Sequence, residues 1–409
     1  SMIKTYKKRE KYLEEIRPFF DKDIIKVVVG QRRVGKSYLL YQIMDELKAL
    51  HKNANIIYIN KELYEFDAIE DYKSLLAFIE KKTDKRRSKN YLFIDEVQDI
   101  ERFEKALRSL KASGKYDIYI TGSNAHILSG ELATYLSGRY VEFPVYPLSY
   151  REFLDFHEIE ETEESFLKFL KFGGLPYLAN VELVDEVVYP YLTSVYNSIL
   201  LKDIVKRYNI RNVAFLENLI EYVVDNVGSL LTAKKISDYL KSQRMTVSPN
   251  IVLNYLEYLE NTFFLHKVRR YDVIGKKIFE INDKFYFEDL GLRHSIKRFS
   301  EQDVHKLLEN VVFLHLKYLG YQVFVGKVDE KEIDFVCKKG SEILYIQVVY
   351  ILTEKNKNRE FENLLEMQDN YKKIVVSMNN QLEKVSEYKG VVHMNVRDFL
   401  LKDGESCEL

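Results

Sequence analysis

Gly30-Gln31-Arg32-Arg33-Val34-Gly35-Lys36-Ser37 fits G-x-x-x-x-G-K-[ST] at every fixed position. The run before it, Ile24-Ile25-Lys26-Val27-Val28-Val29, is short and β-branched, and the run after it, Tyr38 to Leu47, has apolar residues at helical spacing. Strand, glycine loop and helix therefore stand in the order that a phosphate-binding loop requires. A loop free of side-chain bulk at Gly30 and Gly35 can wrap its backbone N–H groups around phosphates at the N-terminus of a helix. Lys36 is expected to reach the β- and γ-phosphates, and Ser37 to offer its hydroxyl to Mg²⁺. The expected nucleotide contacts are Gly30, Gln31, Arg32, Arg33, Val34, Gly35, Lys36, Ser37 and Tyr38, with ATP and Mg²⁺ as the cofactors. Arg32 and Arg33 add two positive charges next to the phosphates. They could tighten nucleotide binding or point to solvent and to acidic partners.

A phosphate loop needs an acid for its metal. Tyr91-Leu92-Phe93-Ile94-Asp95-Glu96 supplies four apolar residues and then two carboxylates, the Walker B pattern. Asp95 is expected to hold Mg²⁺ through water, and Glu96 to sit where an attacking water is polarised. A protein that merely stores nucleotide has no use for the second acid, so the pair points to hydrolysis. Asn55 to Asn60 reads as another buried strand, Ile118 to Asn124 as one ending in polar residues, and Arg139 to Val145 as a fifth. Strands alternating with helices imply a parallel sheet that binds ligands at its strand C-termini. Asn124 or Ser123 is placed to read the γ-phosphate. Arg139, in Leu136-Ser137-Gly138-Arg139, is the candidate arginine finger; acting across a subunit boundary, it would imply a homo-oligomer.

Composition sets the frame. The chain has 409 residues, which suggests two to four domains, with 46% hydrophobic and 31% charged residues, so disorder is excluded as its main theme. Lys plus Arg number 62 and Asp plus Glu 63, which argues against a generic polycation. Cys337 and Cys407 make no disulfide framework, and no ligand-spaced partner suggests structural zinc. The N-terminus lacks the apolar stretch of a signal peptide, and no apolar run approaches membrane-spanning length. A cytoplasmic location without membrane contact is the expectation. Glycines number only 16, so two at a fixed spacing carry weight.

Several stretches together resemble a prokaryotic family of P-loop ATPases, in which an AAA-type domain is fused to a C-terminal half of unknown function. They are Gly30 to Ser37, Phe93-Ile94-Asp95-Glu96-Val97-Gln98, Thr121-Gly122-Ser123, Leu136 to Arg139, Pro147-Leu148-Ser149-Tyr150-Arg151-Glu152-Phe153 and Gly173-Gly174-Leu175-Pro176. The resemblance implies a nucleoside triphosphatase centred on Lys36, Ser37, Asp95 and Glu96.

The residues predict an α/β chain in four parts: an ATPase domain over 1–153, a helical lid over 154–220, a winged helix over 221–300 and an α/β domain over 301–409. Thr232 to Leu240 reads as a short helix. Ser248 caps a second helix with Pro249 at its first position. Phe263 to Tyr271 and Lys277 to Ile281 read as wing strands about Gly275. From Thr232 to Arg298 there are 13 Lys or Arg against 8 Asp or Glu, so this region could meet DNA phosphates. The alternative is a packing module, because the second helix presents Asn, Tyr and Glu. The last hundred residues resemble the core of PD-(D/E)xK nucleases, with Glu309 and Asp334 at the first two acid positions. Gln347 and Val349 stand where Glu and Lys belong. A neutral amide is a poor Mg²⁺ ligand and valine cannot polarise water, so a nuclease-like fold without nuclease activity is expected.

The function expected from all this is an Mg²⁺-dependent AAA-type ATPase that couples hydrolysis to movement of its C-terminal parts. The alternative is an ATP-switched DNA-binding regulator with little turnover.

Overall fold

The computed structural model describes residues 6–87, 90–129, 131–279, 282–379 and 385–402. The expected strand end at Glu280 and Ile281, and Cys407, lie outside them. The chain divides into two compact units. One comprises the described residues up to Tyr146 with Asn261–Phe263, the other Pro147–Glu260 and the described residues from Phe264 onward.

In the first unit, β1 (Ile25–Val29), β2 (Ile56–Asn60), β3 (Asn90–Asp95), β4 (Tyr116–Gly122) and β5 (Tyr140–Pro144) form a parallel sheet of order β2-β3-β4-β1-β5. Helices α1 (Glu10–Ile16), α2 (Lys36–Leu50), α3 (Tyr72–Lys82) and α4 (Phe103–Ser113) accompany the strands. Every residue of β1 and β3 is buried. Continuous apolar runs of this kind are what a parallel sheet covered on both faces demands. One core gathers Val27, Val29, Ile57, Ile59, Leu92, Ile94, Ile118 and Ile120 from the strands with Leu75, Ile79, Leu107 and Leu110 from α3 and α4. The sequence-based strands match these to within one or two residues at each end.

Lys26 and Asp117 are both fully buried and form an ion pair in this sheet. Asp117 also accepts from the Asp21 amide at 3.1 Å and the Tyr119 hydroxyl at 2.8 Å, and the Lys26 ammonium lies 4.4 Å from the centre of the Tyr119 ring. Removing one member strands a buried charge, which costs more than an intact pair contributes. Lys26→Met should therefore lower the unfolding free energy by about 3–5 kcal/mol in a urea titration, and adding Asp117→Leu should recover part of the loss. A single variant as stable as the wild type would contradict this.

In the second unit, helices Tyr150–His157, Glu163–Phe172 and Asp185–Ser198 come first, the last continuing as a π-helical stretch over Ile199–Lys206. Ser149 and Thr162 cap the first two of these helices through their side chains. Gly173-Gly174 has a structural task. The Gly174 amide donates to Asp289 at 2.8 Å while its carbonyl accepts from the Leu148 amide at 2.7 Å, and Asp289 caps the helix Leu290–Ile296.

Thr232 caps the helix Ala233–Ser242, and Pro249–Asn261 forms the next, as the sequence suggests. The strands after it differ from expectation. Phe263 to Tyr271 is not one wing strand. It splits into β6 (Leu265–Val268), which pairs antiparallel with β9 (Lys284–Phe287), and β7 (Arg270–Asp272), which pairs with β8 (Lys277–Ile278).

The last strands are β10 (Gln322–Val328), β11 (Lys331–Lys339), β12 (Glu342–Val349), β13 (Lys372–Ser377), β14 (Val385–Tyr388) and β15 (Val391–Asn395). They take β7 and β8 into an eight-stranded sheet of order β14-β15-β13-β12-β11-β10-β7-β8. Backbone pairing of β7 with β10 thus crosses the boundary expected at residue 300. No helix among the described residues is long and apolar enough to cross a membrane.

Candidate nucleotide site

The loop between β1 and α2 is shaped by its two glycines. A Cβ on Gly30 would stand 2.3 Å from the Val145 carbonyl oxygen, and Gly35 has φ +100°. Only glycine meets both demands without strain. The Lys36 side chain is buried and folds back over the loop, donating to the carbonyls of Gly30 at 3.0 Å and Gln31 at 2.9 Å. Its ammonium is 3.6 Å from Glu96 Oε1. Gln31 is fully buried, and its amide nitrogen and oxygen lack hydrogen-bond partners. An orphaned amide within a phosphate-type loop fits a cradle whose polar groups serve a ligand.

The loop's two arginines have different fates. Arg32 is 5% exposed and pairs with Glu62 at 2.6 Å, whereas Arg33 has φ +72° and is exposed. Val34 is buried in the core, and Tyr38 is exposed in the first turn of α2, edge-on to Tyr6 and Tyr41.

Because β4 lies between β1 and β3, the C-terminal end of β4 stands between the loop and the acids. Asp95 accepts from the Thr121 hydroxyl, and Tyr58 donates to its other oxygen at 3.3 Å. Burial and the neighbouring Glu96 charge push the Asp95 carboxyl above its usual range, against hydrogen bonds from Ser37 and Thr121. Glu96 then turns back, with φ +57°, a left-handed conformation rare outside glycine and typical of functional sites. Its amide donates to Thr121 at 3.0 Å, and the Ser123 hydroxyl lies 2.7 and 2.6 Å from its two carboxylate oxygens. Gln98 also donates to it. Burial raises the Glu96 carboxyl, but Lys36, the Ser123 hydrogen bond, Arg32 and Gln98 outweigh this and hold it at about 2.

The structure thus brings Lys36, Ser37, Asp95, Glu96 and Ser123 together. Ser37 and Asp95 are paired oxygen donors, which fits Mg²⁺, a hard cation that takes one or two protein oxygens and fills the rest with phosphate and water. Asn124 is buried, and its side-chain oxygen accepts from the His126 amide at 2.8 Å, capping the turn Ala125–Leu128. Ser123 is thus a polar neighbour of Glu96. Arg139 lies apart and exposed. It precedes Tyr140, which pairs with Ile25 at the start of β1, so it stands at the opposite end of the sheet from the loop.

Sequence reasoning passed over Arg9, Glu62, Gln98 and Thr121. The Arg9 guanidinium is buried and donates to the carbonyls of Val34 at 3.2 Å and Tyr146 at 2.8 Å, tying the loop to the chain beyond β5. Only Gln98 and Thr121 carried a signal, as neighbours of Glu96 and Ser123 in motifs already recognised.

Three comparisons bear on this geometry. Residues 22–154 match an AAA domain family, and residues 163–303 match a domain of unknown function. An uncharacterized protein of Haemophilus influenzae is 39% identical over 98% of this chain and 100% of its own length. Another, of Methanocaldococcus jannaschii, is 31% identical over 83% of this chain and 77% of its own. The chain belongs to their family. Within it, residues 22–154 make up an AAA-type, P-loop ATPase-like domain, followed by a domain without assigned function. Among solved structures, a Walker-type ATPase of Pyrococcus abyssi matches with TM-score 0.52 and 17% identity, over 71% of this chain and 95% of its own. At that identity the likeness is one of fold.

Glu309 and Asp334, expected to belong to a nuclease-like fold without activity, lie together in the second unit. Asp334 accepts from the Val348 amide at 2.7 Å, and its own amide donates to Gln347 at 3.2 Å. Glu309 accepts from Tyr286 at 3.3 Å and shares a hydrogen bond with Asp334. Burial pushes both carboxyls up, and the repulsion of Asp334 by Glu309 adds to it. Val349 is buried. A lysine does reach this cluster, from an unexpected direction: Lys284 on β9 pairs with Glu332, beside the two acids.

Proposed function

We propose that the protein hydrolyses ATP in an Mg²⁺-dependent reaction at the end of its five-stranded sheet. The convergence of Lys36, Ser37, Asp95 and Glu96 around one loop carries this reading. Lys36 leaves the carbonyls of its own loop for the β- and γ-phosphates. Ser37 and Asp95 hold Mg²⁺, which when bound neutralises phosphate charge. Glu96 polarises a water whose oxygen bonds to the γ-phosphorus while the bond to the β-phosphate's bridging oxygen breaks. Products are ADP and inorganic phosphate, and the water's proton passes by way of Glu96 to phosphate or solvent. Ser123 orients Glu96. Arg139, at the far end of the sheet, would serve only a neighbouring copy in a homo-oligomer.

The four-part division at 153, 220 and 300 belongs to the same proposal, with the last two parts sharing one sheet through β7 and β10, and ATP turnover drives movement of the parts after the ATPase domain. The winged-helix reading is retained for a packing role. The exposed residues of the helix Pro249–Asn261 are Pro249, Asn250, Ile251, Leu253, Asn254 and Glu257, with no cation to meet a DNA phosphate. The nuclease-like part is proposed to be inactive, because Gln347 and Val349 lack the required chemistry and the paired acids Glu309 and Asp334 share a hydrogen bond. Phosphate release from ATP by the full chain, with Mg²⁺ and with excess chelator, tests the first claim; turnover that survives the chelator would contradict it. Incubation with supercoiled and single-stranded DNA and Mg²⁺ or Mn²⁺ should leave both intact. Metal-dependent cleavage lost in Asp334→Asn would overturn the inactive reading.

A further inference from the structure

We propose that Arg32 is a catalytic arginine supplied from within the phosphate loop itself, and that Glu62 is the latch that holds it before ATP arrives. The inference rests on the ATPase reading above. Arg32 is two residues beyond Gly30, so the loop that cradles phosphate carries it by its own backbone. Surface arginines extend into water, as Arg33 does, but the Arg32 side chain is 6% exposed and held at 2.6 Å by Glu62.

Glu62 is itself fixed at the site. Its amide donates to the side chain of Asn60, the last residue of β2, at 2.9 Å, and the Lys61 amide donates to the Asp95 carbonyl at 3.2 Å. The latch is therefore tied to the end of β2 and, through Lys61, to the end of β3, which carries Asp95. The field of the Arg32 guanidinium also reaches Glu96, and Lys36 lies 3.6 Å from Glu96 on the loop. Lys36 thus faces the carboxylate against which water is to be activated, and Arg32 is carried on the same loop.

A γ-phosphate is a stronger and more highly charged acceptor than a partly exposed carboxylate, and guanidinium binds phosphate oxygens in a fork. When the bond between γ-phosphorus and bridging oxygen breaks, negative charge moves onto that oxygen and the departing ADP. A guanidinium placed there stabilises the transition state more than bound ATP. Exchange of Arg32 from Glu62 to phosphate supplies that charge in cis. Arg139, at the far end of the sheet, cannot do so within one chain.

The test compares phosphate release and binding of a fluorescent ATP analogue in the wild type, Lys36→Ala, Arg32→Ala, Arg32→Lys and Glu62→Ala, with thermal melting as a check on folding. Arg32→Ala should lower kcat by about 100-fold or more while changing Kd by less than about fivefold, because arginine fingers act on the chemical step. Arg32→Lys should recover only part of the rate, since lysine keeps the charge and loses the fork. Glu62→Ala should raise kcat several-fold, by removing the competitor for the guanidinium. If wild-type turnover depends on Lys36 but Arg32→Ala turns over at the wild-type rate, or loses affinity at unchanged kcat, the inference falls and the ATPase reading stands. If the wild type has no turnover, or Lys36→Ala matches it, both fall.

Discussion

Glu96→Gln is expected to keep ATP bound and to stop its hydrolysis. The substitution is nearly isosteric, and the glutamine oxygen can still accept from Ser123, which lies 2.6–2.7 Å from the Glu96 carboxylate oxygens. What disappears is a proton acceptor for the attacking water. General-base catalysis contributes roughly 10²–10⁴ in rate, so phosphate release should fall by at least about 100-fold while nucleotide affinity changes by a few-fold. Affinity should rise slightly rather than fall, because Lys36 loses an anionic competitor for phosphate 3.6 Å away. Equal loss of binding and turnover would instead make Glu96 a brace for the loop.

Lys36→Ala should remove both. In the structure the ammonium closes the mouth of the loop through two carbonyl hydrogen bonds and faces Glu96. No other side chain of the loop is expected to take its place: Arg33 is exposed, and Arg32, which exchanges from Glu62 to phosphate for the chemical step, is expected to add little to affinity. Turnover should drop to background, and ATP affinity by about tenfold or more, the scale of a charge-assisted hydrogen bond to phosphate. The variant also leaves Glu96 buried without its nearest cation, so its melting temperature without nucleotide should fall. Retained affinity would show that the loop's N–H groups alone carry the phosphate.

The contrast between these variants follows from what the sequence could and could not reveal. The loop and the two acids beside it were legible because each depends on a local pattern: glycines where the backbone crowds Val145 or turns left-handed, and a fully buried strand ending in two carboxylates. Strand order was not legible. Parallel pairing joins segments far apart in sequence, and nothing local says that β4 inserts between β1 and β3. That insertion sets Ser123 beside Glu96.

Arg139 shows the same limit from the other side. Its motif suggested a finger, but it precedes β5, and the start of a parallel strand lies at the end of the sheet opposite the loop. In the second unit Val349 on β12 stands where the resemblance to nucleases leads one to expect a lysine, whereas Lys284 comes to the acids from β9, which pairs with β6. The split of the supposed wing strand has a similar cause. β7 gains hydrogen bonds from β10, some fifty residues later, which no local propensity encodes.

Phosphate release from ATP and Mg²⁺ by the full chain, measured side by side in the wild type, Lys36→Ala and Glu96→Gln, tests the central claim most directly. The site described above predicts turnover in the wild type alone, with ATP still bound by Glu96→Gln and lost by Lys36→Ala. Undiminished turnover in both variants, or none in the wild type, would contradict it.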